Sequence, residues 1–222
     1  MTTIVAVRKN GVVAIAADTL TTFGNTRLPS HLDASHDKIL HIGGSHIGVC
    51  GSAAHHLVLA NLLAKTPGAA TTRRSEASGA GMAASHPLPQ TVGFANNVSE
   101  VQLNSKAEIF ETFRKLHPIL KEECFLNPKE DEEDPYESSQ ITALIANAYG
   151  IFGIYSMREV FEYTQFWAIG SGHEFALGAL SHAYPLYDSA EEIARAGVEA
   201  GIALDKNSAA PVTLYTVALV NP

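Results

Sequence analysis

Short runs of apolar and β-branched residues, separated by polar turns, predict the strands of this chain. The first two runs, residues 2–7 and 12–18, meet at Asn10-Gly11, the dipeptide that most readily supplies the two positive φ angles of a tight hairpin. With this dipeptide as the loop, Thr3 faces Asp18. The hairpin therefore brings Asp18 to within about 5 Å of the start of the chain, backbone to backbone.

The rest of the pattern predicts an α+β fold. Apolar runs predict six more strands, over residues 38–42, 46–50, 140–145, 151–155, 163–169 and 212–219. Helical spacing predicts four helices, over residues 53–65, 105–123, 173–182 and 189–204. We expect Pro118 to bend or break the second helix, and the polar stretch 19–35 to be an excursion between strands. Two stacked sheets with a helical layer on each side would bury all of these faces.

Two stretches lack apolar periodicity. Residues 66–97 are rich in Ala, Gly, Ser, Thr and Pro, which predicts a mobile surface insertion within a single domain spanning 2–222. Residues 127–134 are acidic, and we interpret them as a solvated loop in preference to a calcium site.

Composition narrows the class of protein. The net charge of -8 without a basic stripe argues against nucleic acid as a partner. Two cysteines make no disulfide framework and indicate a reducing compartment, so we expect a cytoplasmic protein. No run approaches the roughly 20 apolar residues of a membrane span. His36, His41 and His46 recur every five residues, which alternates faces on a strand, so no metal site is predicted.

The chain start carries candidate chemistry. Met1 precedes a small residue, a context in which the initiator is usually removed, so the mature chain would begin with Thr2. A terminal Thr has a nucleophilic hydroxyl and an α-amine with a pKa of about 7.7 to 8.0 that can act as its base. A nearby ammonium would lower that pKa further, and Asp18 is placed to hold one. On these residues alone, an ordinary first hairpin explains the pattern at least as well.

Several segments together resemble the N-terminal-nucleophile hydrolases, in particular the bacterial HslV peptidase and proteasome β-subunits. The chain through Thr26 is similar to their mature start, and Lys38-Ile39, twenty residues after Asp18, is similar to their lysine-hydrophobe pair. Gly51–Ala54 resembles the family's small-residue turn into the first long helix, and Ile169–Gly172 resembles its second serine turn. Asp205–Ser208, followed by Val212–Tyr215, resembles the Asp-x-x-Ser motif and the last strand.

These pieces occur in the family's order across nearly the whole chain. The resemblance implies a single αββα sandwich domain, most similar to the self-compartmentalised bacterial proteasome homologues, which include a betaproteobacterial group distinct from HslV. It also implies a catalytic set, with Thr2 as nucleophile and base and with Asp18 and Lys38 as a charged pair beside it. By the same resemblance, three residues would surround the Thr2 amine and direct its protons and a water: Ser171, Asp205 and Ser208.

The resemblance also implies an oxyanion donor and a substrate cleft. Gly51 would donate its backbone N–H to the oxyanion, an interaction whose loss typically costs about 2.7 to 4 kcal/mol. Thr22 would hold the substrate backbone by strand-like pairing. Val49 and Ala53 would help shape the pocket for the residue before the scissile bond.

The implied activity is that of a threonine-type endopeptidase cutting peptides or unfolded proteins inside a ring complex, without metal or other cofactor. The expected assembly is a homo-oligomer of two stacked rings, a tetradecamer in preference to a dodecamer. The resemblance leaves open whether an ATPase unfoldase feeds the chamber. Alternatives are an N-terminal-nucleophile amidase acting on small amides and a catalytically silent ring subunit. A small-molecule binding module is disfavoured, because neither Gly170–Gly172 nor Gly43-Gly44 has phosphate-loop spacing.

Overall fold

A computed structural model describes residues 2–64, 101–126 and 137–221 of the chain. In these residues the strands are β1 (Thr3–Lys9), β2 (Val12–Asp18), β3 (Thr21–Phe23), β4 (Thr26–Leu28), β5 (Ile39–Ile42), β6 (Ser45–Cys50), β7 (Thr142–Asn147), β8 (Gly150–Ile154), β9 (Val160–Tyr163), β10 (Phe166–Gly170) and β11 (Val212–Ala218). The α-helices are α1 (Ala53–Ala64), α2 (Lys106–Glu122), α3 (His173–Ala183) and α4 (Ala190–Leu204).

The first hairpin has the predicted register. Ile4 lies opposite Ala17. Asn10 and Gly11 form the loop with φ angles of 48° and 77°, as a two-residue turn between twisted strands requires. The amide of Thr3 consequently reaches the side chain of Asp18 at 2.9 Å. The geometry of this turn therefore places Asp18 beside the start of the chain.

Two antiparallel sheets stack face to face. One has the order β10-β1-β2-β11 and the other the order β5-β6-β7-β8-β9. Helices α3 and α4 pack on the first sheet, and α1 and α2 pack on the second. The predicted α+β fold with an αββα arrangement is therefore confirmed.

Strand β1 is apolar on both faces because both faces are buried. Ile4 and Ala6 pack between the two sheets, whereas Val5 and Val7 pack beneath α3 and α4. The second sheet approaches this strand closely at Gly48 of β6, where an added Cβ would lie 2.6 Å from Cγ2 of Ile4. The apolar start of the chain is thus fixed at the centre of the sandwich.

The structure differs from the predicted elements in three places. The predicted strand 163–169 corresponds mainly to β10 and includes only Tyr163, the last residue of β9, which belongs to the other sheet; the rest of β9 was not predicted. Pro118 does not break α2: Leu116 and Leu120 are both buried, so packing on either side of the proline holds the helix together as far as Glu122. The excursion 19–35 contains the short β3–β4 hairpin and a turn of 3-10 helix at Ser30–Leu32.

Some predictions fall on residues outside the described ranges. These are the removal of Met1, the insertion at 66–97 and the acidic loop at 127–134. The single-domain boundary at 2–222 also stays a prediction. In the part of the chain that the structure describes, no helix is both long enough and apolar enough to cross a membrane.

Candidate active site

A threonine, an aspartate and a lysine meet at the end of β1. The Thr2 hydroxyl donates a 2.5 Å hydrogen bond to Oδ1 of Asp18. Lys38, just before β5, donates to the Thr2 hydroxyl oxygen at 2.9 Å and to Oδ1 of Asp18 at 2.8 Å. The three polar groups form a closed triangle around one hydroxyl, and both Thr2 and Asp18 are almost fully buried.

Backbone amides hold the Asp18 carboxylate in place. Its Oδ1 accepts from the amide of Thr3 at 2.9 Å, and its Oδ2 accepts from the amides of Leu20 at 3.0 Å and Ala209 at 3.1 Å. Ala209 lies beyond α4, so the carboxylate ties the first hairpin to the far end of the chain. The three N–H bonds and the ion pair with Lys38 together fix the orientation of this carboxylate.

Lys38 has a perturbed environment. Burial lowers its pKa below the ordinary lysine value, because a charged ammonium loses hydration, while the charge and hydrogen bond of Asp18 act in the opposite direction. Asp18 is thus the main group that favours the charged form of Lys38. An ammonium in this position attracts electron density from the Thr2 oxygen and would stabilise an alkoxide there.

A second carboxylate cluster follows α4. Oδ2 of Asp205 accepts hydrogen bonds from the hydroxyls of Ser171 at 2.6 Å and Ser208 at 2.9 Å. Its Oδ1 accepts from the backbone and side-chain amides of Asn207, both at 3.1 Å. Burial opposes the ionisation of Asp205, but these hydrogen bonds outweigh it and the pKa of Asp205 lies below its ordinary value.

The second cluster contacts the backbone of Thr2. The carbonyl oxygen of Thr2 accepts from the amide of Gly172 at 3.3 Å, and it lies 3.4 Å from the hydroxyl oxygen of Ser171, whose hydrogen is donated to Asp205. Gly170 makes this approach feasible, since an added Cβ there would lie 2.1 Å from the same carbonyl oxygen. Thr2 is therefore held between the two carboxylate clusters.

The four residues implied for the oxyanion and the cleft lie at the ends of neighbouring elements. Gly51 follows β6 with a φ of 118°, a conformation that favours glycine. Thr22 lies in β3, Val49 is buried in β6, and Ala53 is the exposed first residue of α1. Among the described residues, the Thr2 side chain forms its hydrogen bonds with Asp18 and Lys38 and with none of these four residues, so their roles stay predictions.

Cys50, next to Gly51, is unsuited to act as a competing nucleophile. Burial raises the pKa of its thiol to about 11, so it is protonated at neutral pH. Among the described residues, no group of three or more His, Cys, Asp or Glu side chains could hold a metal ion.

The sequence interpretation did not assign several residues of this site. Ala209 and Asn207 bind the two carboxylates through backbone or amide groups, and Thr3 bonds to Ser208. Backbone donors leave no residue-type signal in a sequence. Thr3 had one available signal, since a polar residue in an otherwise apolar buried strand requires a hydrogen-bond partner.

Chemically, the arrangement supplies a buried hydroxyl in contact with an ammonium and a carboxylate. A hydroxyl held in this way is suited to nucleophilic attack, with the ammonium available for the negative charge that develops. The second cluster places the Ser171 hydroxyl, held by the Asp205 carboxylate, beside the backbone carbonyl of Thr2.

The chain is similar to solved structures over almost its whole length. Thiobacillus denitrificans BPH has 36% sequence identity and a TM-score of 0.78, over 99% of this chain and 100% of that chain. The same protein in complex with epoxomicin has 35% identity and a TM-score of 0.77, over 98% of each chain. Eukaryotic HslV from Trypanosoma brucei has 18% identity and a TM-score of 0.57, over 97% of this chain and 99% of that chain, a likeness of fold alone. Neither a protein-family model nor a curated protein sequence matches the chain.

Proposed function

Because the chain belongs to the family of bacterial proteasome homologues, of the proteasome β type, we propose that it is a threonine-type endopeptidase whose nucleophile is the Thr2 hydroxyl. The observation that carries the proposal is the triangle of Thr2, Asp18 and Lys38, in which one buried hydroxyl contacts both an ammonium and a carboxylate. The epoxomicin complex of the Thiobacillus denitrificans homologue supports the same reaction class.

The proposed base is the α-amine that Thr2 gains when Met1 is removed. In the structure the Thr2 hydroxyl donates to Asp18, so its hydrogen must turn from the carboxylate towards the amine before attack. Lys38, at 2.9 Å from the hydroxyl oxygen, would then stabilise the negative charge left on that oxygen. An unprocessed chain would have an amide nitrogen at this position, which is not basic.

The reaction has two acyl-transfer steps. In the first, the Thr2 oxygen attacks a peptide carbonyl, its proton passes to the amine, and the peptide C–N bond breaks as the leaving amine takes that proton. In the second, water attacks the resulting ester, the Thr2 amine receives the water proton, and the ester C–O bond breaks to release the acid and restore the hydroxyl. We assign the oxyanion of both steps to the backbone N–H of Gly51.

The remaining residues take supporting roles in this proposal. Ser171, Asp205 and Ser208 direct the protons of the amine and the attacking water. Thr22 pairs with the substrate backbone, and Val49 and Ala53 line the pocket for the residue before the scissile bond.

We also propose that the substrates are peptides or unfolded proteins and that the chain assembles into two stacked rings in the cytoplasm. Two heptameric rings are favoured over two hexameric ones. Fourteen chains of 23.6 kDa would have a mass of about 330 kDa and twelve a mass of about 283 kDa, a difference that mass photometry resolves.

Labelling with a peptide epoxyketone tests the nucleophile. We expect intact-mass spectrometry to show loss of Met1 and peptide mapping to place one adduct on Thr2. Thr2→Val keeps the shape of the side chain but lacks the hydroxyl, so it should lose both the adduct and peptide hydrolysis, whereas Thr2→Ser should retain both in part. We expect turnover by Thr2→Val to fall by at least about 10³-fold, as when other nucleophiles are removed.

Three outcomes would contradict the proposal. An adduct elsewhere in the chain, or unchanged hydrolysis by Thr2→Val, would remove Thr2 as the nucleophile. Retention of Met1 in the purified assembly, together with the absence of labelling, would favour a silent ring subunit. Hydrolysis of small amides without hydrolysis of peptides would favour the amidase alternative.

A further inference from the structure

Thr3 contacts both carboxylate clusters of the site, although it follows the proposed nucleophile and is fully buried. Its backbone amide donates to Oδ1 of Asp18 at 2.9 Å. Its side-chain oxygen lies 2.8 Å from the hydroxyl oxygen of Ser208. One residue therefore joins the cluster that contains Lys38 to the cluster around Asp205.

Counting hydrogens sets the direction of the bond between the two hydroxyls. Ser208 has one hydroxyl hydrogen, and it is donated to Oδ2 of Asp205 at 2.9 Å. The Ser208 oxygen must then accept from Thr3, so the hydrogen bonds run from Thr3 through Ser208 to Asp205. In such a chain each bond polarises the next, which strengthens the hold of Ser208 on the carboxylate.

Two glycines allow the Thr3 side chain to occupy this position. A Cβ at Gly172 would lie 2.0 Å from the Thr3 hydroxyl oxygen, and a Cβ at Gly201 of α4 would lie 2.4 Å from it. Real Cβ atoms do not approach this closely, so the serine turn and α4 both depend on glycine where they contact Thr3. The Thr3 side chain is therefore enclosed by the serine turn, by α4 and by Ser208, which leaves it little room to bond to another partner.

We propose that Thr3 is a positioning residue for the reaction: its hydroxyl fixes the orientation of Ser208, and through it the hydroxyl and carboxylate groups placed around the Thr2 amine. This inference rests on the proposed function. Thr3 has no exposed surface for contact with a substrate. Loss of the Thr3 hydroxyl should therefore lower kcat and leave KM unchanged.

The test compares Thr3→Val, Thr3→Ser and a matched control in the assembled protein with a fluorogenic peptide. Thr3→Val removes the donor and keeps the shape, and we expect kcat to fall about 3- to 10-fold, the effect of one neutral hydrogen bond, with KM unchanged. Thr3→Ser keeps the donor and should restore kcat to within about twofold of the original. The control is Thr112→Val on α2, which also removes a buried hydroxyl, one bonded to the carbonyl of Gln102, and should leave kcat unchanged.

A double-mutant cycle tests the route through Ser208. In a Ser208→Ala background, Thr3→Val should have no further effect on kcat, because the group on which it acts is already absent. Equal losses in both backgrounds would overturn the proposal, as would unchanged kcat in Thr3→Val or failure of Thr3→Ser to restore it. If Thr3→Val does not assemble, Thr3→Ala replaces it with the same expectations.

Epoxyketone labelling of the unaltered protein separates this inference from the proposed function. Absence of an adduct on Thr2 would overturn both. An adduct on Thr2 together with unchanged kinetics in Thr3→Val would overturn only the role of Thr3.

Discussion

The two buried carboxylates beside Thr2 have different kinds of partner. Asp18 is fully buried, forms a 2.8 Å ion pair with Lys38, and also accepts from three backbone amides. Asp205 is 8% exposed and accepts only from neutral hydroxyl and amide groups; none of the ion pairs within the described ranges includes it.

This difference separates two tasks. A carboxylate paired with a cation brings a positive charge to the site, and here that charge lies 2.9 Å from the Thr2 hydroxyl oxygen. A carboxylate surrounded by hydroxyls brings no cation, but it fixes where those hydroxyls point. Removal of the first charge should therefore disturb both stability and chemistry, and removal of the second should disturb mainly orientation.

The largest effect is expected from Asp18→Asn. This change leaves the mostly buried Lys38 without its anion, and removing one partner of a buried ion pair typically destabilises a protein by about 3–5 kcal/mol. The pKa of Lys38, already lowered by burial, should fall further because Asp18 no longer favours the charged form. We expect kcat to fall by about 10³-fold or more, with a clearly lower midpoint of urea unfolding.

Glu111→Gln is the matched control for Asp18→Asn. Glu111 forms an ion pair with Arg114 on the surface of α2, where both side chains are about half exposed. Surface pairs contribute little, so neither the midpoint of unfolding nor kcat should change measurably. Equal destabilisation by the two substitutions would show that burial does not increase the contribution of the Asp18–Lys38 ion pair to stability.

A smaller effect is expected from Asp205→Asn. Asparagine keeps the shape, and the hydroxyls of Ser171 and Ser208 can rotate, but their bonds to a charged acceptor are lost. Bonds to charged groups are worth about 1.5–3 kcal/mol, so we expect kcat to fall about 10- to 100-fold with KM unchanged. A loss as large as that of Asp18→Asn, measured under the same conditions, would contradict the division of tasks between the two carboxylates.

The sequence was sufficient for the parts of this comparison that depend on local chemistry. Asn10-Gly11 determines the register of the first hairpin, and that register alone brings Asp18 to Thr3. The start of the last helix was likewise predicted at Ser189. In the structure the Ser189 side chain caps α4 by accepting a hydrogen bond from the amide of Glu192. Lys38 and the Asp205 motif could be named only through the family resemblance, because nothing near them in the sequence indicates their partners.

Contacts between residues far apart in the chain could not be predicted from the sequence pattern. The apolar run 163–169 carries no sign that the chain leaves one sheet after Tyr163 and enters the other at Phe166, so the predicted strand began at the end of β9 and most of β9 was missed. The bond between Thr3 and Ser208 joins residues 205 positions apart, so no spacing rule could find it. The hydrogen-bond requirement of a buried Thr was visible, but its partner was not.

The smallest expected effect concerns the acid stability of the fold. The pKa of Asp205 lies below its ordinary value in the folded protein, so the unfolded chain binds the proton more tightly. The stability that this group contributes is fully present above the unfolded value, near 3.8, and is lost as pH falls through the lower folded value. Urea unfolding between about pH 5.5 and 3 should therefore show a shallower loss of stability with acid in Asp205→Asn than in the unaltered protein, by at most about 1.4 kcal/mol per pH unit. Ser171→Ala keeps the Asp205 carboxylate but removes one hydrogen bond that lowers its pKa. The loss of stability per pH unit in Ser171→Ala should therefore lie between the losses in Asp205→Asn and in the unaltered protein. If it equalled the loss in the unaltered protein, the Ser171 hydroxyl would not be among the groups that keep Asp205 charged.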